Sequence, residues 1–228
     1  MRPKICAVIA ERELSEALNL IEEAENQRAD LLEVRLDYLR EHPPLDPIFK
    51  ATKLPIIATC RLKDQGGMYT GPEETRKSLL LKAADAGASY VDIELKSKQL
   101  RKFITQCKSL GVKLIISHHD CVATPSLKKL NSIFKSELRA GADIGKIVTT
   151  AQQFEDNLTC LNFQAELSRK HVAGVCFAMG TLGRISRILS PIYGGSFAYA
   201  SVKFGGETAA GQLTIQEMQK IYAMLGVT

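Results

Sequence analysis

The chain has 228 residues, 45% hydrophobic and 24% charged, which supplies enough apolar material for a full globular core. Its formal net charge of +5 is mild and no Lys/Arg tract carries interleaved aromatics, so nucleic acid is excluded as a partner while a small anionic ligand fits. No apolar run reaches the length of a membrane span, Met1-Arg-Pro-Lys4 lacks the apolar stretch of a secretion signal, and six scattered cysteines form no CxxC pair. A cytoplasmic protein is expected, without a membrane partner, disulfides, a metal or an organic cofactor.

Strand-like and helix-like segments alternate along the chain. A strand is expected over 4–10, then an amphipathic helix over 14–25 with Leu14, Leu18, Ile21 and Ala24 on one face. A strand over 30–36 leads to a Pro-rich turn at His42-Pro43-Pro44 and a short helix near 47–51. Residues 55–61 make a strand, and Gly66-Gly67 to Gly71-Pro72 a loop. The helix over 73–86 starts with proline and acids, as the unpaired amides and dipole of a helix start prefer. Gly87 ends it. Then come a strand over 90–95, a helix over 98–110 closed by Gly111, and a strand over 112–118. Thr124-Pro125 opens a helix running to about 140, closed by Gly141. A strand around Lys146, a helix near 152–170 and a strand over 172–177 follow. A helix around 185–189, a strand over 196–202 and a helix over 214–225 complete the pattern.

Eight strands alternating with eight helices, with no composition shift marking a linker, predict an α/β fold with a parallel sheet. Eight units point to a closed (β/α)8 TIM barrel forming a single domain over 1–228. An open doubly wound sheet would call for a switch point and a Gly-rich turn after the first strand. Ala10-Glu-Arg-Glu13 stands there instead.

Lys146 lies inside the short, otherwise apolar and β-branched run Gly141-Ala-Asp-Ile-Gly-Lys-Ile-Val-Thr-Thr150. Burying an ammonium is costly, so such a lysine is either paired or held as the neutral, nucleophilic amine, unless it snorkels to water from the strand end. A neutral strand lysine can form a Schiff base with a ketone or aldehyde. Side-chain parity adds company. With Leu32, Val34 and Leu36 facing the helices, Glu33, Arg35 and Asp37 point into the barrel. The same parity gives Ile57, Thr59 and Arg61; Tyr90, Asp92 and Glu94; Ile115, Ser117 and His119; and Ile144, Lys146 and Val148. Polar groups therefore gather at the carboxyl ends of five consecutive strands, the mouth where barrels of this kind place their active sites. Taken singly, each has a plainer reading: a Glu33–Arg35 ion pair, a Glu94–Lys96 pair, or a loop histidine.

The ordered set of motifs resembles the type I 3-dehydroquinate dehydratases of the shikimate pathway almost end to end. It comprises Leu32-Glu-Val-Arg-Leu-Asp37, Thr59-Cys-Arg61 with Gly66-Gly67, Val91-Asp-Ile-Glu-Leu95, Ile116-Ser-His-His-Asp120 and the Lys146 run. Met179-Gly180, Gly183-Arg-Ile-Ser-Arg187 and Ala209-Ala-Gly-Gln212 close it. The resemblance implies a (β/α)8 barrel that dehydrates 3-dehydroquinate to 3-dehydroshikimate through a Schiff base. It makes Lys146 the imine-forming lysine, His119 (not His118) the general acid/base, and Glu94 the carboxylate that orients this histidine. Glu33, Arg35 and Arg61 match positions that hold substrate hydroxyls and organise the site, and Arg187 matches the carboxylate-gripping arginine, assisted by Gln212.

Two positions depart from the family pattern. The last loop reads Thr208-Ala-Ala-Gly-Gln212 where Ser-Ala-Pro-Gly-Gln is common; Thr208 keeps the hydroxyl, while the missing proline leaves the loop less constrained. Val8 stands where some relatives place serine. Residues 203–212, with three glycines, are expected to form a lid over the substrate. Gly67-Met-Tyr-Thr-Gly71 and Lys146-Ile-Val-Thr-Thr150 look closest to relatives fused to shikimate dehydrogenase, though no such domain lies in these 228 residues. The partners implied are the small anionic substrate 3-dehydroquinate and, compatibly, a second copy of the chain and a fused or associated shikimate dehydrogenase. A lysine-dependent aldolase and a non-catalytic ligand-binding barrel are the competing readings.

Overall fold

Short aliphatic and β-branched runs supply a sheet whose strands are buried on both faces, as parallel strands covered by helices require. The computed structural model describes residues 2–40 and 43–227, so the expected turn at His42 begins outside the described residues. The strands are β1 (Ile5–Ile9), β2 (Leu31–Arg35), β3 (Ile56–Thr59), β4 (Tyr90–Glu94), β5 (Lys113–His119), β6 (Ile144–Thr150), β7 (Gly174–Met179), β8 (Ala198–Ser201) and β9 (Leu213–Thr214). Between and after them lie α1 (Leu14–Asn26), α2 (Asp46–Lys50), α3 (Glu73–Asp85), α4 (Leu100–Ser109), α5 (Leu127–Ala140), α6 (Asp156–Arg169), α7 (Arg184–Leu189) and α8 (Ile215–Met224).

All pairings are parallel, in the order β7-β6-β5-β4-β3-β2-β1-β8-β9. The sheet curls until β8 approaches β7, and the expected (β/α)8 barrel forms. That seam carries no ladder: Ser196 donates its amide to the Gly174 carbonyl at 2.9 Å, and the rings of Phe177 and Tyr199 meet at 6.2 Å. The inward parity read from the sequence holds. Cys6, Val8, Ile57, Ile115, Val148, Val175 and Phe177 pack together inside the barrel, while Leu32, Val34, Ile116 and their neighbours meet the helices.

Several element ends differ from expectation for local reasons. Helix α5 starts at Leu127 because Ser126 caps the Lys129 amide, while the Thr124 hydroxyl is taken by Thr149 and the Thr150 carbonyl. Helix α6 starts at Asp156, whose carboxylate accepts the Gln152 and Gln153 amides and holds them in a turn. The two-residue β9 was not foreseen: Thr214 is also the N-cap of α8, in a capping box with Glu217, and so short a strand has no periodicity to read.

Gly145 brings α5 close behind the strand that carries Lys146. A Cβ there would lie 2.3 Å from a Phe134 ring carbon and 2.8 Å from Glu137 Oε2. Glu137 itself is fully buried, neither of its oxygens has a hydrogen-bond partner, and burial, reinforced by the Asp92 charge, pushes its carboxyl up to about 9. The group is therefore neutral in the folded protein at pH 7, whereas an unfolded glutamate ionises at about 4.3. Between those values the native state binds more protons than the unfolded state, so this residue's contribution to stability is full below the unfolded pKa and is lost as pH rises towards 9. Urea unfolding across that range should show stability falling with pH, with the slope reduced in Glu137→Gln. An unchanged slope would contradict a neutral Glu137.

Candidate active site

The ladder sets the polar groups in register. Arg35 lies beside Thr59, Thr59 beside Asp92, Glu94 beside Ser117, and Ser117 beside Lys146. At this level the side chains from β2 to β6 converge inside the barrel. Lys146 Nζ donates to Asp92 Oδ2 at 2.9 Å and to Glu33 Oε1 at 3.4 Å, and lies 4.3 Å from the Tyr199 ring centroid. Of the alternatives left open by the sequence, the structure takes pairing: the lysine's closest charged neighbours are two acids.

Asp92 is the hub of this arrangement. Oδ1 accepts from the Ser117 hydroxyl at 2.7 Å, and Oδ2 is shared by Lys146 and by Arg61 Nη2, the latter at 2.7 Å. Burial opposes its ionisation, but Arg61 and Lys146 outweigh burial and hold the carboxyl well below the usual carboxylate range. Arg61 donates from Nη1 to Ser117 and to Glu94 Oε1, each at 2.8 Å. Glu94 Oε2 then accepts from Arg76 of α3 at 2.6 Å, and Arg76 returns to Glu73 and to the Cys60 carbonyl. An alternating chain of charges thus runs Glu73–Arg76–Glu94–Arg61–Asp92–Lys146–Glu33 from the helix layer to the barrel axis.

Glu94 makes no hydrogen bond to His119, because two guanidinium groups occupy its oxygens and compete for a carboxylate better than a neutral imidazole. Arg35 also has a different partner from the one its neighbourhood in sequence offered. It grips Asp37 with Nε and Nη2 at 2.9 and 2.7 Å and stacks over Tyr38, leaving Glu33 to Thr59 and Lys146.

Above this network opens a cavity of about 240 Å³. Its lining includes Glu33, Arg35, Arg61, His119, Lys146, Arg187, Thr208 and Gln212, which are all the expected site residues except Glu94. His119 ends β5; its Nδ1 is buried without a partner, and burial together with the charges of Arg61 and Lys146 holds the imidazole well below its ordinary pKa. It is a neutral base at pH 7. His118, of opposite parity, is not among the lining residues. Thr208 and Gln212 meet each other, the Thr208 amide donating to Gln212 Oε1 at 2.9 Å. Their loop lies against the end of β7: the Gly180 amide donates to the Ala210 carbonyl at 3.0 Å, and a Cβ on Gly211 would stand 2.3 Å from the Gly180 oxygen. Sequence reasoning assigned no role to Asp92, though parity placed it inward, and it passed over Gln65, Phe177 and Tyr199, which also line the cavity.

Arg187 has the opposite electrostatic problem to Lys146. It is 2% exposed, its Nε and Nη2 have no partner, and no acid among the described residues pairs with it. Burial, aided by Arg184, pulls its guanidinium down to about 10. Asn157 fixes α7 by accepting the Ser186 amide and donating to the Leu182 carbonyl, and the Arg187 guanidinium rests 4.4 Å from the Phe177 centroid. A buried guanidinium with unused donors can donate two parallel hydrogen bonds to an anion.

The fold and cavity define a (β/α)8 barrel enzyme with a lysine in the cavity at its mouth. The model of the type I 3-dehydroquinase family matches residues 5–228. A 3-dehydroquinate dehydratase of Dehalococcoides mccartyi is 38% identical over 220 residues, covering 96% of this chain and 95% of the relative. The crystal structure of 3-dehydroquinate dehydratase from Geobacillus kaustophilus superposes with a TM-score of 0.89 at 26% identity, covering 99% of this chain and 92% of that one. The bifunctional 3-dehydroquinate dehydratase/shikimate dehydrogenase of Arabidopsis thaliana is 33% identical over 96% of this chain, which spans 36% of that relative. The chain belongs to the type I 3-dehydroquinase family, and is an enzyme of the shikimate pathway, a carbon–oxygen hydro-lyase.

An unpaired buried charge costs stability, so Arg187→Met should stabilise the ligand-free protein, by about 0.5–2 kcal/mol, while abolishing tight substrate binding. Urea unfolding and substrate titration would check both halves; a less stable variant would contradict the idea that this guanidinium is held unsatisfied.

Proposed function

We propose that the enzyme dehydrates 3-dehydroquinate to 3-dehydroshikimate through an imine on Lys146, with His119 moving the protons. The observation that carries this reading is one cavity lined by a lysine, an imidazole of lowered pKa and an unpaired guanidinium. Arg187 grips the substrate carboxylate with parallel hydrogen bonds and fixes the ring, Gln212 and Thr208 close over it, and Glu33 and Arg35 face its hydroxyls. Nζ passes a proton to His119 and adds to the ketone carbon; the carbonyl oxygen leaves as water, and a protonated imine remains. The imine is an electron sink, so the adjacent C–H becomes acidic enough for His119 to take its proton. The electron pair moves to nitrogen as an enamine, then returns as the neighbouring hydroxyl departs with the proton from His119. Hydrolysis releases the enone and restores the lysine.

Glu94, in this reading, serves the site through Arg61 rather than through the histidine. Every step uses groups of residues 1–228, read as one catalytic barrel, and calls for no cofactor. A cytoplasmic setting suits six free thiols, five of them buried. A shikimate dehydrogenase, fused as in the Arabidopsis relative or separate, is a partner compatible with this reading.

Borohydride with 3-dehydroquinate should add a ligand-sized mass to the peptide containing Lys146 and abolish activity; an adduct on a peptide without Lys146, or turnover by Lys146→Ala, would overturn the mechanism. His119→Ala should form the imine more slowly but still accumulate it, and lose about 10²–10⁴ in kcat, with His118→Ala much less impaired. Equal impairment of the two histidine variants would contradict the assignment.

A further inference from the structure

The lysine nitrogen has two acidic neighbours that differ in kind. Asp92 is the nearer, at 2.9 Å; it is fully enclosed, fixed by Ser117 on one oxygen and by Arg61 on the other, and does not line the cavity. Glu33 is 3.4 Å away, anchored only by the Thr59 hydroxyl at 3.0 Å, and does line the cavity. The charged and titratable groups around Nζ are Cys6 from β1, Glu33 from β2, Asp92 from β4, His119 from β5 and Tyr199 from β8, with Arg61, two residues past β3, sharing Asp92 Oδ2 with the lysine. Burial raises the Cys6 thiol and the Tyr199 phenol, so negative charge reaches the nitrogen from Glu33 and Asp92 alone.

Imine formation changes what this nitrogen can donate but leaves its charge unaltered. An ammonium and a ketone become a protonated imine and water: the C=N bond forms, the C=O bond breaks, and two nitrogen protons leave with the oxygen. Three N–H donors become one, while the single positive charge stays. We propose that Asp92 is a catalytic residue, the counter-ion that keeps the Lys146 imine protonated, and that Glu33 is released from the nitrogen to take a substrate hydroxyl. The inference rests on the Schiff-base reading above. Its physical basis is that an imine is a weaker base than an amine, so fixed negative charge beside it favours the protonated form at neutral pH. Asp92 meets that need because Arg61 and Ser117 allow it no other orientation, whereas Glu33, held by one hydroxyl, is free to turn.

The test compares two reductants in the presence of 3-dehydroquinate near pH 8, followed by intact mass. Borohydride reduces imines in either protonation state, and cyanoborohydride reduces the protonated form. The ratio of cyanoborohydride to borohydride trapping rates should fall about tenfold or more in Asp92→Asn relative to the wild-type protein, and should be retained in Glu33→Gln. An unchanged ratio in Asp92→Asn, or the same fall in Glu33→Gln, would overturn the assignment. If Asp92→Asn does not fold, Ser117→Ala, which frees the carboxylate without removing it, should lower the ratio in the same direction, and no change there would also overturn it. Absence of an adduct in the wild-type protein with both reagents would instead refute the imine, and the counter-ion with it.

Discussion

One carboxylate oxygen shared by a lysine and an arginine constrains the rest of this molecule. Asp92 Oδ2 lies 2.9 Å from Lys146 Nζ and 2.7 Å from Arg61 Nη2, inside a barrel where neither cation has ready access to water. Buried charges of this kind are tolerated only when each is paired and hydrogen-bonded, because the desolvation cost is several kcal/mol per ion. The pairing propagates outward for that reason. Arg61 brings Glu94, Glu94 brings Arg76, and Arg76 reaches Glu73 near the surface. Removing a link would strand a charge, so the chain fixes the lysine more firmly than a hydrophobic pocket would.

The other half of the cavity is built on the contrary principle. Arg187 is buried with two nitrogens unsatisfied, and a buried cation without an anion is unstable until a ligand supplies one. In the proposed reaction a satisfied lysine at one side and an unsatisfied arginine at the other orient the anionic ketone before any bond is made. His119 lines the same cavity, and burial together with the positive charges of Arg61 and Lys146 lowers its pKa. In that proposal binding and proton transfer draw on separate groups, and the stability given up at Arg187 is the counterpart of affinity for the carboxylate.

Much of this was legible before any coordinates. Alternation of strand and helix patterns gave the barrel, and side-chain parity placed Glu33, Thr59, Arg61, Asp92, Ser117, His119 and Lys146 on its inner face, because a strand's period is two whatever its neighbours. What parity does not contain is which partner each charge selects. Glu94 was paired with His119 in the family pattern, yet it meets Arg61 and Arg76. Arg76, in the run Glu73-Glu-Thr-Arg76, reads as half of a solvated helical ion pair; it is buried because α3 turns it towards β3 and β4. Gln65 ends a single 3-10 turn, Lys63–Gln65, too short for any periodicity to show. The seam between β7 and β8 was equally invisible, since ladder pairing leaves no mark distinct from strand propensity.

The most direct test is a crystal structure of the His119→Ala protein with 3-dehydroquinate, where the imine should accumulate. The nitrogen of Lys146 should direct its single N–H to Asp92, with Glu33 turned to a substrate hydroxyl and the carboxylate on Arg187. A nitrogen bonded to Glu33 and parted from Asp92 would contradict the account.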